Sequence, residues 1–104
     1  MRALVIEDTA TNLAVYCHLL ERIGIEPIQA RDGPAGIACF EEARPDLILL
    51  DVVLPGIDGF EVARRIRAME KPGEWTPIIF LTSLAKDEDL ECGIEAGGDD
   101  YLFK

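Results

Sequence analysis

Asp51 closes the run Asp46-Leu47-Ile48-Leu49-Leu50-Asp51, and the turn-forming stretch Leu54-Pro55-Gly56-Ile57-Asp58-Gly59 follows it. An acid at the mouth of a buried strand, backed by a stiff loop, is poorly placed for packing and well placed for chemistry. Glu7 and Asp8 stand at the end of a second apolar run, Ala3-Leu4-Val5-Ile6. Thr82 and Ser83 follow a third, Ile78–Leu81, and Lys104 follows Tyr101–Phe103. Three carboxylates at close range repel one another unless a cation joins them. A hard, oxygen-seeking divalent ion suits such a set. Magnesium fits better than calcium, because it keeps several waters and needs only one or two protein carboxylates. The remaining groups suit a phosphoryl group. Asp51 would be the nucleophile or acceptor, Thr82 a hydroxyl donor, Lys104 a positive point charge, and the N–H groups after Asp51 further donors. Each has a plainer reading. Asp8 or Thr9 could cap a first helix, and Thr82 or Ser83 a fourth. Lys104 could be a surface lysine. The plain readings weaken together, because all these groups fall at strand ends.

The elements that must position them alternate. Ala3–Ile6 is a short strand, followed by Leu13, Tyr16, Cys17 and Leu20 at helical spacing up to Gly24. Ile25–Gln29 is a weaker strand candidate, which Pro27 demotes toward a sheet edge. Asp32-Gly33-Pro34 opens a second helix, with Ile37, Phe40 and Ala43 inward, and Pro45 ends it. Leu47–Leu50 is continuously apolar, as expected of a central strand covered on both faces. Gly59 to Ala68 forms a third helix with Phe60, Ala63, Ile66 and Met69 inward. Its polar face carries Arg64, Arg65 and Arg67, read as a solvated surface or a docking patch. Ile78–Leu81 is a fourth strand, Asp87 to Glu95 an acidic fourth helix, and Tyr101–Phe103 a fifth strand.

The order βαβαβαβαβ predicts an α/β fold with three layers, α/β/α, and a five-stranded parallel sheet in the flavodoxin-like order 2-1-3-4-5. Ligands in such sheets bind beyond the carboxyl ends of the strands, where every informative polar residue falls. The pattern stops on the last residue of a strand, without the final helix that would cover it. Residues 1–104 therefore read as one domain truncated after its fifth strand; a chain cut there would expose apolar sheet surface and be marginal or prone to association, unless a partner or further domain supplies the cover.

Bulk properties agree. At 104 residues and 49% apolar content, one domain with one modest core is expected. A formal net charge of -10 argues against direct nucleic-acid binding, since such surfaces are basic. No secretory signal or membrane-length apolar run is visible. Cys17, Cys39 and Cys92 are odd in number and far apart, and read as free thiols of a reducing, cytoplasmic compartment.

The sequence also resembles the receiver (CheY-like) domain of bacterial two-component response regulators. The resemblance rests on Val5-Ile6-Glu7-Asp8, Pro45 through Asp51, Leu54 through Gly59, Leu81-Thr82-Ser83 and Ala96 through Lys104. It implies Asp51 as phosphoacceptor, charged from a phosphohistidine on a sensor histidine kinase or histidine phosphotransfer protein. It implies a Mg2+ ion held by Glu7 (mainly through water), Asp8, Asp51 and the backbone carbonyl of Val53. Thr82 and Lys104 would bind the phosphoryl oxygens, and Tyr101 would be an aromatic switch that turns inward with Thr82. A C-terminal output domain or downstream protein, and a homodimer on activation, are further implied. Ser83 and Leu54 depart from the commoner alanine and methionine, and Gly98 is a common alternative to alanine, without threatening phosphorylation. A flavodoxin-type cofactor module is disfavoured because Glu7 and Asp8 would repel a phosphate, and a phosphohydrolase because Val53 replaces a second acid. A phosphorylation-independent pseudo-receiver, acting only as an interaction module, conflicts with the full set of site residues.

Overall fold

The computed structural model describes residues 1–82 and 95–103. Its elements are β1 (Arg2–Ile6), α1 (Ala10–Arg22), β2 (Glu26–Ala30), α2 (Gly33–Ala43), β3 (Leu47–Asp51), α3 (Gly59–Met69), β4 (Ile78–Thr82) and β5 (Asp100–Phe103). β2, β1, β3 and β4 form a parallel sheet in that order, and β5 pairs with β4 beyond them. The strand carrying Pro27 is indeed an edge. The expected fourth helix, apart from Glu95, lies outside the described residues, as do Ser83, Cys92 and Lys104.

Side chains of a strand point alternately to its two faces, and the two faces here are filled by different helices. Leu4, Ile6, Ile48, Leu50, Ile78 and Phe80 face one way, against Phe40 of α2 and Phe60, Val62, Ala63 and Ile66 of α3. Ala3, Val5, Leu49 and Leu81 face the other way, against Leu13, Cys17 and Leu20 of α1. Helices thus cover both faces, and the central strands need not alternate with polar residues. Gly36 lets α2 lie close on the sheet, because a Cβ there would stand 2.4 Å from Ile6 Cδ1. Phe60 and Phe80 meet edge to face at 5.2 Å, a favoured aromatic geometry. Among the described cysteines, Cys17 and Cys39 are free thiols. Burial raises the pKa of the Cys17 thiol, Glu21 adds to the rise, and a hydrogen bond with Gln29 opposes it. That fits a small core filler better than a reactive thiol.

Helix boundaries follow local chemistry. The Asp32 carboxylate accepts the Ala35 N–H at 2.8 Å and starts α2. The Asp58 carboxylate accepts the Glu61 N–H at 2.9 Å and starts α3. Each bond satisfies an otherwise orphaned donor in the first helical turn. α2 ends on Arg44 in the left-handed region (φ 45°), just before Pro45.

One expectation needs correction. Arg64 and Arg65 are exposed and pair with Glu61, as a solvated helix face should. Arg67 does not share that face, since its side chain is only 12% exposed. Its guanidinium donates to Glu70 Oε1 (2.7 Å), the Thr76 carbonyl (2.7 Å), the Gly97 carbonyl (2.8 Å) and Asp99 Oδ2 (2.8 Å). It also stacks on the Trp75 ring, 3.5 Å from the centroid. Asp99 receives the Trp75 indole N–H (2.7 Å) and the Ile78 N–H (2.8 Å). Arg67 therefore joins the end of α3, the approach to β4 and the approach to β5. A planar fork with several fixed donors can do this, and a lysine cannot.

Replacing Arg67 by alanine would leave the almost fully buried Glu70 carboxylate without its guanidinium. The expected loss is about 3 kcal/mol, read from the denaturant midpoint. Arg64→Ala and Arg65→Ala should each cost less than about 1 kcal/mol. Equal effects at all three positions would contradict this assignment.

Candidate functional site

Sheet register brings the acids together. Ile6 pairs with Leu50, so Glu7 and Asp51 each stand one step beyond that pair, at the carboxyl ends of adjacent strands. By strand alternation both continue the row on the α1 face. Glu7 is held there by its N–H, which donates to the Ala30 carbonyl at 3.0 Å. Asp8 adds its carboxylate from the turn between β1 and α1. Carboxylate oxygens of Glu7, Asp8 and Asp51 all lie within 4.8 Å of one another. Glu7 is fully buried, Asp51 is 3% exposed and Asp8 is half-buried. Three oxygens at that separation, two of them largely withdrawn from water, match what a hard divalent cation requires. The same crowding without a cation would be costly.

The loop after Asp51 is fixed from several sides. The Val53 N–H turns back to Asp51 Oδ1 at 3.2 Å. The Val52 N–H donates to the Leu81 carbonyl at 3.2 Å, and the Val52 carbonyl accepts the Gly59 N–H at 2.8 Å. Leu54 is buried and Ile57 packs against the core, so both ends of the turn are anchored by apolar contact. Gly56 between them takes φ 78°, a conformation glycine adopts without strain. Val53 stays 64% exposed at the rim. Gly59 is where α3 touches β3, since a Cβ there would stand 2.2 Å from the Asp51 carbonyl oxygen and 2.9 Å from Val52 Cα. Sequence reading took Gly59 only as a turn residue and a helix start. The close approach depends on the packing of α3, which no local pattern reveals.

Thr82 ends β4 and is 2% exposed. Its register partner is Phe103 of β5, and the preceding pair joins Asp51 to Leu81. Thr82 therefore sits at the same sheet edge as Asp51, one strand over. Lys104 lies outside the described residues. Tyr101 is placed by its backbone opposite Phe80 in β4, with its side chain outside what is described. Thr9 takes the cap position of α1 without a side-chain capping bond, so Asp8 and Thr9 are not explained as helix caps. One participant was not foreseen: Arg31, just after β2, donates from Nη2 to the Asp8 carbonyl at 2.9 Å.

The three acids at the carboxyl edge of the parallel sheet are suited to hold a divalent cation. Comparison with known proteins agrees. A family model described as the response regulator receiver domain matches residues 3–104, and the chain belongs to that family. It is 46% identical over 101 residues to the transcriptional regulatory protein AfsQ1 of Streptomyces coelicolor, covering 97% of this chain and 43% of that protein. It is 37% identical over 103 residues to the phosphate regulon transcriptional regulatory protein PhoB of Escherichia coli, covering 99% of this chain and 44% of that one. The chain thus spans under half the length of these relatives. Among solved structures, the Vibrio cholerae chemotaxis protein CheY4 superposes with a TM-score of 0.93 at 30% identity, covering 99% of this chain and 85% of that one. The receiver domain of a Pseudomonas aeruginosa sensor histidine kinase superposes with a TM-score of 0.88 at 37% identity, covering 99% and 84%. That structure holds a magnesium ion in its active site cleft. Among the described residues, no helix is long and apolar enough to cross a membrane.

Gly59→Ala should push α3 away from the Asp51 carbonyl. Overpacking of this kind costs about 1–3 kcal/mol, visible as a lower denaturant midpoint. A variant as stable as the parent would show that the contact is not restrictive.

Proposed function

We propose that this chain is a phosphorylation-dependent switch whose acceptor is Asp51. The observation that carries the reading is the set of three carboxylates within 4.8 Å, two of them buried, at the mouth of the sheet. The donor would be a phosphohistidine on a sensor histidine kinase or a histidine phosphotransfer protein. An Asp51 carboxylate oxygen attacks phosphorus, the P–N bond breaks, and the imidazole leaves. The product is an acyl phosphate on Asp51. Glu7, through water, with Asp8, Asp51 and the Val53 carbonyl, would hold Mg2+. The bound ion would offset charge on the phosphoryl oxygens. The Val53 N–H donates to Asp51 Oδ1 at 3.2 Å, a contact that would help orient the acceptor carboxylate. Thr82 and Lys104 would take phosphoryl oxygens by a hydroxyl hydrogen bond and an ammonium charge.

Phosphorylation brings about -1.5 to -2 units of charge and three strong acceptors. Drawing Thr82 toward them would pull on the end of β4 and free space for Tyr101 to turn inward. A two-state element biased by that local event is sufficient for signalling. Residues 1–104 would act as the receiver unit, and a C-terminal output domain or a separate protein would read its state. A DNA-binding output is supported by relatives such as the DNA-binding response regulator MtrA, over 44% of whose length this chain extends. The net charge of -10 makes DNA contact by the receiver itself unfavourable. A homodimer on activation and a cytoplasmic location complete the proposal.

Incubation with a small phosphodonor and Mg2+ should give one hydroxylamine-sensitive phosphoryl group per chain. Asp51→Asn, or removal of Mg2+ by a chelator, should reduce labelling at least about a hundredfold, corresponding to roughly 2.7 kcal/mol of lost transition-state stabilisation. Full labelling of Asp51→Asn would overturn the assignment.

A further inference from the structure

Asp8 is the most exposed of the three acids, and it stands on a turn rather than a strand. Something must hold that turn if its carboxylate is to stay beside Glu7 and Asp51. The start of α1 does not do so by capping, because Thr9 makes no side-chain cap bond. The Thr9 N–H reaches Glu7 Oε1 at 3.3 Å, which ties the turn to a member of the cluster itself. Arg31 offers a tie from outside the cluster. Its Nη2 donates to the Asp8 carbonyl at 2.9 Å across 23 residues of sequence.

The base of Arg31 is well fixed. Ala30, immediately before it, is buried, pairs with Ile6, and accepts the Glu7 N–H. Asp32, immediately after it, caps α2. A side chain rooted between a strand end and a helix cap can transmit the position of the sheet to the Asp8 turn. We infer that Arg31 is a positioning residue for the cation site, holding the turn after β1 so that the Asp8 carboxylate stays within reach of the ion. This rests on the reading of Glu7, Asp8 and Asp51 as a Mg2+ site.

The role has a sign that charge alone does not share. A guanidinium near a dication site repels the ion, so simple loss of its charge should tighten Mg2+ binding. Loss of the tie should loosen it, as loss of partners that orient metal ligands commonly does. Titration calorimetry with magnesium chloride at fixed ionic strength separates the two. Arg31→Met keeps much of the aliphatic stem and removes both donor and charge. It should bind Mg2+ about tenfold more weakly, with an unchanged unfolding midpoint in metal-free buffer. Arg31→Lys, which keeps a charged donor, should recover part of the loss. Equal or tighter binding by Arg31→Met, beside a wild type that binds, would overturn the positioning role alone. A wild type that binds no Mg2+ would overturn the cation site and this role with it.

Discussion

The crowding of the Glu7, Asp8 and Asp51 carboxylates at one sheet edge is the constraint on which this molecule is arranged. Carboxylate oxygens within 4.8 Å of one another, with Glu7 and Asp51 buried, form a poor site for folding and a good one for a cation. The fold has to hold that crowding in place. It does so with the parallel pairing of β1 and β3, which are apolar on both faces and flanked by helices on each side. Strands fixed this firmly cannot slip, because a one-residue shift would exchange the row under α1 for the row under α2 and α3.

The surrounding details serve the same edge. Gly59 lets α3 approach β3 closely enough that its N–H caps the Val52 carbonyl, and the Asp51 turn is pinned between them. Leu54 and Ile57 anchor the outer part of the turn in the core. At the opposite end of the sheet, Arg67 ties α3 to the segments that lead into β4 and β5, the strands whose far ends carry Thr82 and the approach to Lys104. A charge change at Asp51, as proposed, would act on strands anchored at one end and polar at the other. That geometry favours a discrete shift at the polar edge over a general loosening.

Much of this was legible in the sequence. Glu7, Asp8, Asp51 and Thr82 could be grouped because each ends an apolar run, and alternation of strands with helices puts all such ends on one edge. Pro27 correctly marked β2 as an edge. The failures share a cause. Arg67 looked like its exposed neighbours because helical spacing shows which residues share a face, not that Trp75, Gly97 and Asp99 come to meet one of them. Val62 is fully buried although it sits between the inward positions read from the period, because α2 packs on that side of α3. Arg31 carried no local signal, since its partner is a backbone carbonyl 23 residues away.

The central claim, that a divalent cation relieves the crowding of these three acids, has a direct measurement. Denaturant unfolding of the unmodified chain should be followed against free Mg2+ at constant ionic strength. A ligand that binds only the native state stabilises it by RT ln(1 + [L]/Kd), so at a hundred times Kd the gain should be about 2.7 kcal/mol. Stability that rises with Mg2+ in this way, and does not rise with a monovalent salt of equal ionic strength, is the predicted result. Stability indifferent to Mg2+ would contradict the account.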